Sequence, residues 1–421
     1  MFPKGSAIFF ASSHSTLREN RFGSAIAKIV LLMGLRLALI ALLIMVSCCT
    51  GAQTRQSTPT DFGTLASRAA EARDADRLEE AAGLYSNALA LRPRWVEGWW
   101  SLGTLEYDLD HYARAAHAFE KVIAMDPKHG TAHAMLGLCQ FELGKDEQAL
   151  KNLLAAERLG VTKDEQLRKV ALYHMGLLQL RAKKFGDAKE TLGHLAADRV
   201  STKELTTGLG LAALLLRPQD APPEGTPGAT IVERAGEAEE HLTANEFEQA
   251  KQRYAELTGE FPNYPNLHFA FGRLLLETHE TDEAIEEFQR ELQRDPKNVN
   301  SMLEIAAVRR MIDPQNALSY AVEASKLAPR LPFAHYLLGL LRLDTGDAAA
   351  AIPELEIAQK AFPGEAEVYF SLGNAYARAG RKADAIKARA EFARLKAEAA
   401  KQPGSRIYGD PVRTIDREKP G

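Results

Sequence analysis

Cysteine is almost missing from this chain: Cys48, Cys49 and Cys139 are the only three in 421 residues. One cysteine outside an adjacent pair builds neither a disulfide framework nor a cysteine-rich metal site, so stability has to come from apolar packing. An excess of one charge is missing too. The formal net charge is −4, without the basic surplus a general nucleic-acid binder needs. No H-E-x-x-H, P-loop or G-x-G-x-x-G pattern occurs. These absences argue against an enzyme, and no cofactor or metal is expected. The remaining composition, 26% charged and 46% hydrophobic, is ordinary for a soluble protein.

The N-terminus stands apart. Residues 29–46 read IVLLMGLRLALIALLIMV, apolar except for Arg36, with Arg18, Arg21 and Lys28 upstream and the small residues SCCTGAQ downstream. A charged segment, an apolar segment and small residues are the parts of a secretory signal. The run is also long enough to span a bilayer. Three routes stay open over residues 1–52. Met45-Val46-Ser47-Cys48 resembles the lipobox of bacterial lipoproteins, which implies lipidation at Cys48. Thr50-Gly51-Ala52 suits ordinary cleavage before Gln53, and an uncleaved anchor is the third. Met33 is an alternative start. Every route delivers the body to the cell envelope, periplasmic or membrane-anchored.

Prolines give the body its phase. Pro93 and Pro127 lie 34 residues apart, as do Pro262 and Pro296, and Pro329 and Pro363. Each closes an apolar helical run, because proline lacks an N–H and disfavours helix in the residue before it. Between them one pattern recurs: Trp99-x2-Leu102-Gly103, then Ala115-x3-Phe119, then Pro127. Phe271-Gly272 with Ala284 and Phe288 repeats it, as do Leu338-Gly339 with Ala351 and Leu355, Leu136-Gly137 with Ala149, and Leu372-Gly373-x2-Tyr376 with Ala385. This pattern resembles the tetratricopeptide repeat.

The resemblance implies an all-α fold, an α-solenoid of about nine helix–turn–helix repeats. Their expected ranges are 62–95, 96–129, 130–163, 169–202, 231–264, 265–298, 299–331, 332–365 and 366–400. An N-terminal array over 62–217 is followed by a Pro/Gly linker over 218–229 and a C-terminal array over 230–400. Lys203–Arg217, containing LGLAALLL, reads as the first helix of a repeat without a second helix. Being apolar on nearly every side, it has to be covered on both faces, so it is expected to pack between the two arrays and join them in one superhelix. The polar tail, 401–421, reads as disordered.

Shared phase also decides the histidines. His133, His268 and His335 all occupy repeat position four, where the family packs a large aromatic, so packing outweighs catalysis or metal binding. Cys139, inside an apolar helical pattern, reads as a small buried hydrophobe. The acidic pairs Glu239-Glu240 and Glu286-Glu287 read as solvated helix faces.

In the tetratricopeptide family the first helix of each unit lines a concave groove, with ligand contacts at positions two, five, nine, twelve and thirteen. The resemblance implies a partner-binding stripe of Trp100, Tyr173, Phe269, Tyr336 and Phe370 at position five, with Tyr107 and Phe141 at position twelve. Asn300, Arg273, Arg310, Asn374 and Arg378 supply polar groups, and the arginines suit a carboxylate or acidic segment. Position-five aromatics either grip a partner or pack against the next unit, and both readings stand. The Lys/Asn clamp by which family members hold chaperone tails does not appear. The sequence thus predicts a non-catalytic scaffold that binds extended or helical protein segments, tied to the membrane and without nucleic acid. The alternatives are an envelope-assembly factor that binds no peptide, or the substrate-binding part of an enzyme complex.

Overall fold

A computed structural model describes residues 61–160, 164–198 and 200–400. The signal or anchor over 1–52, Cys48 and the tail from 401 lie outside the described residues. Nineteen α-helices and no strand occur among the described residues.

The helices form nine antiparallel pairs and one extra helix. The pairs are α1 (Phe62–Asp74) with α2 (Leu78–Leu91), α3 (Val96–Asp108) with α4 (Tyr112–Met125), α5 (Gly130–Glu142) with α6 (Asp146–Leu159), and α7 (Glu165–Arg181) with α8 (Phe185–Ala197). After the extra helix α9 (Lys203–Ala213) come α10 (Pro227–Thr243) with α11 (Phe247–Glu260), α12 (Leu267–Glu277) with α13 (Thr281–Arg294), and α14 (Val299–Arg309) with α15 (Pro314–Leu327). The last two pairs are α16 (Pro332–Asp344) with α17 (Ala348–Ala361) and α18 (Ala366–Arg378) with α19 (Lys382–Ala399). The chain divides into two compact units, Met1–Lys128 and His129–Gly421. In the first, Ala69, Ala72, Ala81, Tyr85 and Leu105 form the core, with Trp95 packed against it.

Three devices repeat. The turn inside most pairs carries a residue of positive φ at repeat position fifteen: Asp76, Asp110, Gly144, Lys183, Asn245, His279, Gly346 and Gly380. This left-handed residue ends the first helix and lets the chain reverse. Repeat 299–331, one residue short, has Asp313 there at φ −140°, and the adjoining Met311 and Ile312 are exposed. At position eight a glycine meets the position-twenty-four side chain of its own pair. A Cβ on Gly339 would lie 2.6 Å from Leu355 Cγ. Position twenty-four therefore packs within the pair as well as toward the next one.

The third device uses the closing prolines. Trp99 Nε1 donates to the Pro93 carbonyl at 2.9 Å, and Tyr369 Oη donates to that of Pro363 at 3.2 Å. His268 Nε2 and His335 Nε2 do the same toward Pro262 and Pro329, at 3.1 and 3.0 Å. Their Nδ1 atoms face Glu287 and Glu354 at 2.6 and 2.5 Å, while His133 Nδ1 meets Asn152 at 2.9 Å. His268 and His335 at position four thus tie the preceding turn to the second helix of their pair. Glu287 is buried in this tie, so its expected solvation is corrected. Cys139 is buried, and burial pushes its thiol up to about 12, which keeps it unreactive.

The segment expected to be a linker is shorter than its composition suggests. Pro227 opens α10 at its first turn, where proline's missing N–H costs nothing, and Thr226 caps the helix by accepting from Ala229 N at 3.3 Å. Elements on either side of 218–226 pack together within the second unit. The helix α9 lies on α8 and takes α10 as its partner. Their backbones cross at two glycines: a Cβ on Gly210 would lie 1.9 Å from the Val232 carbonyl oxygen, and one on Gly236 1.8 Å from that of Thr206. The second helix that α9 lacks in sequence is thus supplied by α10, which also pairs with α11.

Candidate functional site

Repeat position nine, on α10, carries Glu239, which points inward because α10 is covered on both sides; only 1% of the residue is exposed. Tyr254 of α11 donates its hydroxyl to Glu239 Oε1 at 2.7 Å, and burial beside that carboxylate pushes the phenol well above its ordinary pKa. Lys189 of α8 approaches Glu239 Oε2 at 2.9 Å and Glu277 Oε1 of α12 at 2.8 Å. Burial pulls the Lys189 ammonium down, but the two carboxylates outweigh it and its pKa is raised. One turn along, Arg273 pairs with the buried Glu304 at 3.2 Å.

These charges rim a cavity of about 240 Å³. Its walls come from α10 and from the first helices of three successive pairs, with Phe269 and Arg273 of α12, Asn300 and Leu303 of α14, and Phe333 of α16. Lys189 of α8 and Ala212, Ala213 and Leu215 at the end of α9 close one side. Phenyl and leucyl side chains face a ring of ion pairs. Such a site suits an apolar side chain whose neighbours are polar or charged.

Of the expected stripe, Phe269, Arg273 and Asn300 meet here. The others do not. Tyr336 is fully buried in the core that joins α14 to α19, because the next pair covers position five closely; for this residue, packing displaces partner contact. Phe269 lines the cavity but is itself 96% covered, its ring 5.9 Å from Phe288. Trp100 stacks edgewise on Phe119 at 5.4 Å, and Tyr107 on Tyr112 at 5.4 Å, both in the first unit. Phe141 packs on His174 at 4.6 Å with the Arg181 guanidinium over its ring. Tyr173 flanks His174 as well, and burial pushes its phenol up to about 12. Arg310 pairs with Asp344 at 2.5 Å and Arg378 donates to the Leu343 carbonyl at 2.7 Å, so both serve the scaffold. Asn374 is half-buried on α18, where Phe370 remains 51% exposed.

Lys189, Glu239, Glu304 and Phe333 were not among the expected residues. Glu239 had a signal: it occupies position nine of its repeat, one of the groove positions, and its expected solvation is corrected by its burial. Lys189 had none, since it lies on a second helix that only the displaced α10 brings to the groove.

Residues 101–160, 236–299 and 336–403 match the family model described as Tetratricopeptide repeat. No curated protein matches the chain. Among solved structures, the crystal structure of MamA is 23% identical over 39% of this chain and 97% of its own, with a TM-score of 0.37. A MamA double mutant is 19% identical over 40% of this chain and 98% of its own, at 0.38. The APC/C hetero-tetramer Cut9–Hcn1 is 14% identical over 80% of this chain and 87% of its own, at 0.35. The described chain is an all-α solenoid of tetratricopeptide-like helix pairs, and three of its stretches match the tetratricopeptide repeat model.

Proposed function

We propose that this protein is an interaction scaffold of the cell envelope that holds a segment of a partner protein in the cavity between α8, α10, α12, α14 and α16. One observation supports the reading above others: Phe269, Arg273 and Asn300, which repeat phase assigns to a ligand-facing row, converge with Leu303 and Phe333 on one apolar cavity with a charged rim. An apolar side chain of the partner fills the base, and its flanking polar groups meet Arg273, Lys189 and Asn300. Delivery outside the cytoplasm rests on residues 29–52, with Cys48 as the lipid attachment.

A photo-crosslinking residue placed at the exposed Asn300 tests the binding site in the native cell. A discrete adduct is expected from Asn300, none from Gln293 on the second-helix face, and loss of the adduct in Arg273→Glu. Equal labelling from both positions would sink the proposal. Delivery is tested separately, by palmitate labelling and membrane fractionation of Cys48→Ser.

A further inference from the structure

We propose that the outward face of the last helix pair, α18–α19, docks an acidic amphipathic helix of a partner protein. Repeat phase identifies the surface. Position five holds Phe269, Leu303 and Tyr336 in successive pairs, exposed by 4%, 4% and 0%. Position twenty-one holds Ile285 and Ile352, exposed by 7% and 6%. In the last pair the same positions are Phe370 and Ile386, exposed by 51% and 69%. The inner residues are covered by the pair that follows: Phe269 shares a core with Ile305 of α14, and Tyr336 shares one with Leu372 and Tyr376 of α18. Among the described residues nothing covers Phe370 and Ile386 in that way. The last pair therefore presents the surface that a helix occupies at every comparable junction of the second half.

The stripe continues along α19. Ile386, Ala390, Ala393 and Ala397 fall at helical spacing and are all exposed. Alanines let a second helix approach closely, while Phe370 and Ile386 give it apolar area to bury.

Charge selects the occupant. Lysine and arginine outnumber aspartate and glutamate across α18 and α19. The acids of α19 are already engaged: Asp384 with Arg381 at 2.8 Å, Glu391 with Arg394, and Glu398 with Arg394 at 2.6 Å. Lys382, Lys387 and Arg389 are exposed and have no carboxylate within ion-pair distance among the described residues. An apolar stripe with a basic rim complements a helix with an acidic rim. A second copy joined by a two-fold axis brings the same basic rim against itself. Residues 401–421 carry Lys401, Arg406, Arg413, Arg417 and Lys419 against Asp410, Asp416 and Glu418, so they too lack the complementary charge.

The test titrates full-length protein into a labelled, helix-stabilised peptide with leucine at i, i+3, i+4 and i+7 and glutamate elsewhere, and into its lysine counterpart. Fluorescence anisotropy should show the glutamate peptide binding at least tenfold tighter than the lysine one. Ile386→Gln and Lys387→Glu should each weaken it at least fivefold while leaving helicity and melting unchanged, as expected for exposed residues. Equal binding of the two peptides overturns the proposal, as does indifference to both substitutions. Binding that appears only after removal of 401–421 assigns the face to the chain's own tail. A dimer in sedimentation equilibrium that Ile386→Gln dissolves assigns it to a second copy. Either result also overturns the proposal.

Discussion

The pair α16–α17 and the crossing of α9 with α10 are both held by glycine, yet they respond differently to one added carbon. At Gly339 the new methyl meets the branched end of Leu355, a side-chain end that shifts at lower cost than backbone although it is buried. At Gly210 and Gly236 it meets a carbonyl oxygen of the facing helix at less than 2 Å. A side chain yields; a hydrogen-bonded backbone does not. The ordinary repeat is thus built to tolerate drift in sequence, whereas the α9–α10 crossing is fixed at backbone contact.

Substitutions make the contrast measurable. Gly236→Ala should have the largest effect, a loss of more than about 3 kcal/mol in urea unfolding, because the two helices have to part. A loss below about 1 kcal/mol would show that the crossing is no tighter than an ordinary one. Lys189→Met comes next: it leaves Glu239 buried without its cation and should cost about 2–3 kcal/mol, with Glu239→Gln in the same chain restoring part of it. Gly339→Ala should cost only about 1 kcal/mol, since overpacking is partly offset by alanine's better helix propensity.

The smallest effect is a pH dependence confined to the regular repeats. The carboxylate of Glu354 raises His335 above its ordinary 6.5, and that histidine in turn holds Glu354 below its ordinary 4.5. A raised histidine contributes stability that is complete below 6.5 and fades as pH rises through its folded value. A depressed carboxylate contributes above 4.5 and fades as pH falls through its folded value. The pair therefore stabilises most between these limits, by about 1 kcal/mol or less. Glu354→Gln should flatten that part of a melting-temperature profile, and an unchanged profile would discount the pair.

Much of the fold was legible because the repeat writes itself in prolines and small residues at fixed spacing, and spacing survives where identity does not. Nine pairs occur among the described residues in the expected phase, except that α10 opens at Pro227, inside the expected linker. The left-handed turn residue was not read from the sequence, because only three of its eight carriers are glycine and the rest are Asp, Asn, Lys or His. That α9 lies between the helices before and after it was legible in its all-round apolarity; that it takes α10 as its pair was not, for a physical reason. Its contact is backbone to backbone, so no side-chain pattern announces it, and the Pro/Gly tract beside it looks like a break. The site divides in the same way. Phase gathered Phe269, Arg273 and Asn300, but it cannot tell a ring that meets a partner from one that meets the next helix, as Tyr336 shows. Glu239 and Glu287 read as solvent-facing because acidic pairs usually are; each is buried against a cation or an imidazole supplied from another helix.

Because α9 has no second helix of its own, the second unit holds an odd number of helices among the described residues. An even stack keeps its front row at the front throughout; an odd one exchanges front and back where the extra member enters. Here α8 lines one side of the cavity whose other walls come from α10, α12, α14 and α16, so a segment held there as proposed meets Phe185 and Lys189 on that side. A ribbon in an open trough slides from one register to the next. Against a stop, it is measured from a fixed mark.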